Sequence, residues 1–139
     1  MASMPDLVKN LFPYHDNWGD VVGYELIEHG PGRVRTQLTL KENHRSPSGV
    51  THGGVISSFV DWSMGGAVFT SLKKGQLTST IEFKINYLSP VKIGETIFCD
   101  AKIKYSGKSH AVIEFHVFRE EGKDIAVGVG TYNIYTPAP

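Results

Sequence analysis

The chain is nearly devoid of cysteine. Cys99 is the single one in 139 residues, so no internal disulfide can form, and the residue reads as a small hydrophobe in a strand. Charge of one sign is also lacking. Fourteen basic side chains balance fourteen acidic ones, which argues against nucleic acid or an anionic membrane as partner, since both need a basic footprint. A chain without net charge has little self-repulsion and is suited to self-assembly. The N-terminus lacks the basic start and long apolar run of a signal peptide. The longest apolar stretch, Val55 to Leu72, is broken by Ser57, Ser58, Asp61 and Ser63. It reads as a core helix rather than a membrane span. A reducing cytoplasm is the expected compartment.

Several chemistries lack their motif. His15, His29, His44, His110 and His116 show no metal-ligand spacing, so no metal is expected. The glycines from Gly49 to Gly54 lack the Lys-Ser/Thr of a phosphate loop. Ser57 and Ser58 sit in no G-x-S-x-G elbow.

What is present reads as one domain over residues 1–139, long enough to bury about two-thirds of its unfolded surface. Pro5 and Asp6 mark a helix start backed by Leu7, Val8, Leu11 and Phe12, and Pro13 ends it. Val21 to His29 reads as a strand and Gly30-Pro31-Gly32 as a turn. Val34, Thr36, Leu38 and Leu40 then alternate with polar residues as in a half-buried strand. A polar loop over 41–52 leads into a helix from about Gly53 to Leu72, apolar on nearly every side and so surrounded by protein. Lys73, Lys74 and Gly75 close it. Alternation predicts strands around Ile81–Tyr87, Ile97–Tyr105 and Ala111–Val117, and a last strand from Ile125 to Tyr135. The expected architecture is α+β, an antiparallel sheet of about six strands with one long helix against it.

The chemistry concentrates in Ser48-Gly49-Val50-Thr51-His52-Gly53-Gly54 and in Asp61. The first N–H groups of a helix have no intrahelical partner and carry the positive end of its dipole. Gly53 and Gly54 have no side chains to block an approaching carbonyl oxygen, whose developing charge those amides would stabilise. Asp61 is a lone acid in an apolar helix, with Thr80 as a polar partner from outside it and no cation nearby in the helix. Eight residues separate it from Gly53, about 12 Å along the axis, too far for one reacting carbon within one subunit. Two such helices paired antiparallel would bring one chain's Asp61 beside the other's Gly53, as a two-fold dimer does twice over. Gly53-Gly54 could equally allow close packing against the sheet, Asp61 could be a satisfied structural carboxylate, and His52 could cap the helix rather than react.

Gly49-Val50-Thr51-His52-Gly53-Gly54, Asp61, and Tyr87-Leu88-Ser89-Pro90-Val91-Lys92-Ile93-Gly94-Glu95 resemble the hotdog-fold acyl-CoA thioesterases of the phenylacetate-pathway type, over about Val21 to Tyr135. The resemblance implies a hotdog fold, with the sheet wrapped round the helix. It implies a homodimer or a dimer-of-dimers homotetramer with sites at the dimer interface, and hydrolysis of an acyl-CoA, aryl or medium-chain, to free acid and CoA. No cofactor is implied beyond the CoA thioester as substrate. Carried over, the Gly53 amide would polarise the thioester carbonyl, and the partner's Asp61 would act as general base or nucleophile. Thr80 would position water, and His52 would sit beside the thioester. Pantetheine and nucleotide would lie along Tyr87 and the turn Ser106-Gly107-Lys108, with Lys108 at a phosphate. Six residues before His52 many members have Asn or Gln, where this chain has the shorter Ser46. Two other functions compete: an acyl-CoA-binding hotdog protein without turnover, and an enoyl-thioester hydratase or dehydratase, whose H-F-P-G type segment is absent here.

Overall fold

The computed structural model describes residues 15–138, so the helix start expected at Pro5 and Asp6 lies outside the described residues. The first described element is a helix where a strand was expected. Helix α1 spans Asn17–Val22. Asp16 caps it by accepting the Gly19 N–H, and Gly23 ends it in the left-handed region at φ 95°. Val21 and Val22 are β-branched neighbours that read as strand, yet the two caps decide the matter. Strand β1 therefore begins only at Glu25 and runs to Gly30.

The remaining elements are β2 (Arg33–Thr39), a 3-10 turn (Glu42–His44), α2 (Gly53–Phe69), β3 (Leu77–Tyr87), β4 (Thr96–Ser106), β5 (His110–Arg119) and β6 (Asp124–Tyr135). The six strands form one antiparallel sheet in the order β1-β2-β4-β5-β6-β3. Helix α2 lies across it and contacts β2 to β6. Phe59, Val60, Met64 and Val68 of α2 are wholly buried, each contributing about 1.5–3 kcal/mol relative to exposure. The one hydroxyl in that face, Ser63, donates to the Phe59 carbonyl and pairs with Thr36 at 2.7 Å, so its burial is satisfied.

Three sequence expectations change here. Helix α2 stops at Phe69 rather than Leu72, because Thr70 turns its hydroxyl to the Ala67 carbonyl and receives the Gly32 N–H. Lys73, Lys74 and Gly75 belong to the following turn. Nor is α2 covered on all sides within one chain: Val55, Ser57, Ser58, Asp61, Trp62 and Gly65 form a half-buried stripe. The alternation in two strands also breaks. Bulges between Thr80 and Glu82 and between Ile103 and Tyr105 shift the register, so Ile81 and Tyr105 face solvent at 51% and 61% exposure. A one-residue slip moves a side chain to the other face, and period-two reading cannot foresee it.

Strand β3 forms one edge of the sheet. Among the described residues its second side is unpaired, and most of its side chains are exposed.

Candidate active site

The segment before α2 is a small antiparallel turn. Ser46 N–H donates to Val50, His52 N–H donates to His44, and Arg45 bridges Thr51. Gly49 adopts φ 95° at its tip, a conformation side chains disfavour. This turn fixes how the chain enters the helix. His52 is the N-cap, and its Nδ1 accepts the Gly54 N–H at 2.8 Å. The capping alternative is therefore the one the geometry realises in this state, and the Gly54 amide is occupied. The Gly53 N–H lies one position ahead, has no intrahelical acceptor, and finds no partner among the described residues. Tyr87, at the end of β3, donates to the Gly53 carbonyl at 2.9 Å, and its ring lies about 3.5 Å from the Cβ position of Gly53. It pins the helix start to the sheet edge and leaves the amide side open.

Asp61 lies two turns on, half-buried on the stripe of α2 that the sheet does not cover. Thr80 donates to its Oδ1 at 2.7 Å, as expected of the polar partner. A second donor was not foreseen. The Tyr132 hydroxyl lies 2.5 Å from the same Oδ1 and 2.9 Å from the Asp61 main-chain carbonyl. Tyr132 is 1% exposed. Burial, reinforced by the charge of Asp61, pushes its phenol above the ordinary value, so it remains a protonated donor. Both donors act on Oδ1, and Oδ2 has no partner among the described residues. The carboxylate is thus oriented by one oxygen and free at the other.

Other expected site residues fall elsewhere. The Ser46 hydroxyl pairs with Ser48 at 2.8 Å, within the turn. Ser106, Gly107 and Lys108 form the β4–β5 hairpin turn. That turn lies at the opposite end of the sheet from Gly53. Tyr87, which touches Gly53, pairs with Ala126 early in β6, whereas His110 pairs with Asn133 near its end. One chain therefore brings together Gly53, Gly54, His52 and Tyr87 in one group and Asp61, Thr80 and Tyr132 in a second, and leaves Ser106–Lys108 apart. Cys99 is fully buried, which pushes its thiol up to about 12 and keeps it unreactive. Among the described residues no three His, Cys, Asp or Glu gather into a metal cluster, and no helix is long and apolar enough to cross a membrane.

A cavity of about 410 Å³ opens beside the helix cap, between α1, the 3-10 turn and the start of α2. Trp18, Val22, His52, Gly54 and Val55 are among the residues that line it.

Residues 48–126 match the family model described as thioesterase superfamily. The chain belongs to the thioesterase superfamily. That match contains both the Gly53 turn and Asp61. As a thioesterase it has relatives on both levels of comparison. It is 28% identical over 110 residues to the human protein named acyl-coenzyme A thioesterase 13, covering 78% of each. It superposes on a conserved protein of Pseudomonas aeruginosa with a TM-score of 0.82 and 30% identity, covering 87% of this chain and 95% of that one. A hypothetical thioesterase of Streptococcus pneumoniae, solved with coenzyme A, has the same fold at TM-score 0.77 and 19% identity, covering 99% and 100%. The hotdog architecture of this thioesterase, α+β with six strands against one long helix, agrees with the fold read from its sequence.

Proposed function

We propose that this thioesterase hydrolyses an acyl-CoA, at a site that two chains build together. The observation that carries the reading is the posture of Asp61: two hydroxyls hold Oδ1, and Oδ2 has no partner among the described residues, on a half-buried helix face. Among the described residues no cation pairs with this carboxylate.

The Gly53 amide and Asp61 are eight residues apart on one helix, about 12 Å along its axis. A second copy added antiparallel at the free β3 edge resolves the separation. Two-fold symmetry then sets the partner's Asp61 toward Gly53 and carries the partner's Ser106-Gly107-Lys108 turn to the Gly53 end of the sheet. The unpaired edge itself supports this, because an exposed edge strand seeks a strand to bond.

In that arrangement the thioester carbonyl accepts from the Gly53 N–H, which stabilises negative charge as it develops there. Oδ2 of the partner's Asp61 takes a proton from water as the water oxygen bonds to the carbonyl carbon. Collapse breaks the C–S bond, and the proton passes to the departing CoA sulfur. Direct attack by Oδ2 would give an anhydride that water then opens to the same products. Thr80 and Tyr132 fix the carboxylate for either course. Lys108, cationic and exposed, supplies charge for a CoA phosphate. The coenzyme A in the Streptococcus thioesterase supports CoA as the carrier here.

The test is thiol release from a panel of aryl- and acyl-CoAs, with Asp61→Asn beside the wild type and the mass in solution measured in parallel. Faster release by the wild type and a mass of two or four chains are expected. A monomer, or an Asp61→Asn protein as fast as wild type, would defeat the reading.

A further inference from the structure

Thr80 and Tyr87 are seven residues apart on β3. On a regular strand an odd spacing sets two side chains on opposite faces. Here both turn to α2: Thr80 donates to Asp61 at 2.7 Å, and Tyr87 donates to the Gly53 carbonyl at 2.9 Å. The bulge is the reason. Thr80 pairs with Tyr132 and Glu82 with Thr131, so Ile81 is an extra residue without a partner on β6. One inserted residue reverses the alternation. Beyond it Phe83 and Ile85 pack on the core, on the helix side with Tyr87. Glu82 accepts from Thr131, whose neighbour Tyr132 points to Asp61, so Glu82 lies on the face away from the helix. Lys84 and Asn86 share that face with it.

The second side of β3 is unpaired among the described residues, and a second copy bonded there must respect this order of faces. Residues directly opposite across an antiparallel pair point to the same face. A register off by one would set core-side Phe83 against the partner's Lys84, so allowed registers differ by two residues, about 7 Å along the strand. The site chooses among them. It needs Gly53 of one chain beside Asp61 of the other, and those two residues are held by Tyr87 and Thr80. Tyr87 must therefore stand opposite the partner's Thr80 and the bulge that follows it. Counting inward from that match, Asn86 faces the partner's Glu82, Ile85 faces the partner's Phe83, and Lys84 faces its own copy.

We infer that two copies join through antiparallel β3 strands with Lys84 on the two-fold axis, so that the Ile81 bulge of each lies against Tyr87 of the other. This rests on the two-chain site proposed above. A second observation agrees with the register. Ile81 and Tyr87 are large apolar side chains left 51% and 50% exposed in one chain, and here they cover one another across the pair. The bulge thus does two things: it turns both hydroxyls to the helix, and it fixes which residue meets which. A slip by two residues would part Tyr87 from the partner's Thr80 by about 7 Å, and the Gly53 amide from the acid by a similar length.

Cysteine cross-linking tests the register, and because Cys99 is buried the introduced thiol is the reactive one. In Lys84→Cys the two thiols face each other with Cα atoms about 4.5–5.5 Å apart, within disulfide reach. Mild oxidation should link most of this protein into covalent dimers. Glu82→Cys and Asn86→Cys should each stay unlinked alone, since equivalent positions then lie about 13 Å apart, and should link when the two are co-expressed. The linked Lys84→Cys dimer should hydrolyse acyl-CoA as fast as its reduced form. A Lys84→Cys protein that is dimeric in solution yet does not link overturns the register and leaves a two-chain site standing. So does a self-link at Glu82→Cys, or a linked dimer without the activity its reduced form has. A full Lys84→Cys link beside an Asp61→Asn protein as fast as wild type would instead defeat the role of Asp61 and keep the register, and a monomeric wild type overturns both. Should Lys84→Cys not fold, the Glu82→Cys and Asn86→Cys pair decides it.

Discussion

The Tyr132 hydroxyl lies 2.5 Å from Asp61 Oδ1, although 71 residues separate the two in sequence. It meets the carboxylate from β6 while Thr80 meets it from β3. The two strands are neighbours, with Thr80 opposite Tyr132 in register. One sheet ladder thus delivers both hydroxyls to one oxygen.

Tyr132→Phe removes only the O–H and keeps the ring in the core. A hydrogen bond to a charged group is worth about 1.5–3 kcal/mol, so kcat should fall by about tenfold to a hundredfold, with KM nearly constant because the lost contact orients the acid and touches no substrate. Asp61→Asn should cost more, about 100-fold or beyond, since it removes the base itself. Steady-state kinetics of both variants check this; a Tyr132→Phe enzyme at wild-type kcat would mean the phenol only packs.

Gly128 in β6 gives a stability prediction. A Cβ there would stand 2.0 Å from the Lys84 carbonyl and 2.6 Å from the Phe115 ring. Backbone cannot step aside as a side chain can, so β3 would have to part from β6. Gly128→Ala should destabilise by about 3 kcal/mol. Urea unfolding at matched protein concentration reads it, because β3 is also the edge proposed to join two chains. A midpoint equal to wild type would show that the strands relax freely. Gly53→Ala is the contrast, since its Cβ would meet the Tyr87 ring at an ordinary 3.5 Å.

How much of this was legible in the sequence follows from what each signal depends on. Asp61 stands out because one acid among apolar neighbours is expensive, and Thr80 is within sight as a polar partner from outside the helix. Tyr132 was not. Its phenol matters through a strand register, and a tyrosine in an alternating strand looks like any other core aromatic. The long helix was readable because its start carries cap, glycines and apolar run together. Helix α1 was missed since Asn17–Val22 is too short for a period to show, and its caps make sense only with Trp62 donating to Asp16 across the fold. His44 is buried in the 3-10 turn, a placement that no spacing in the sequence shows.

The Tyr87–Glu95 segment, noticed as a pattern, has a physical basis. Arg119 donates to Glu95 at 2.8 Å, to Ser89 at 2.9 Å and to the Pro90 carbonyl at 2.5 Å, while Glu95 accepts the Lys92 N–H at 2.6 Å. Arg119 foremost holds the Glu95 carboxyl below its usual range. The sign follows: the unfolded chain takes up the proton more readily, so this contribution is full above the ordinary value of about 4.5 and is lost as pH falls through the lower folded value. Glu95→Gln should be less stable than wild type at neutral pH, and the gap should close toward acid. Thermal melts from about pH 7 to about pH 3 measure this. A gap that is constant with pH would show that the pair contributes through shape and not through charge.

His52 can be tested as a cap separately from any role beside the thioester. Its Nδ1 satisfies the Gly54 N–H, leaving Nε2 outward on an exposed ring. Asn can cap in the same way, so His52→Asn should melt near the wild-type temperature. His52→Ala should lose about 1 kcal/mol. If capping is the whole of its contribution, the Asn variant should also keep wild-type kcat/KM, because the Gly53 amide is presented unchanged. An Asn variant that melts like wild type yet hydrolyses slowly would move His52 from scaffold to chemistry, and the exposed Nε2 would be the atom to follow. The opposite pattern, a cap-deficient Ala variant that loses stability and activity in proportion, would tie catalysis to the order of the first helical turn.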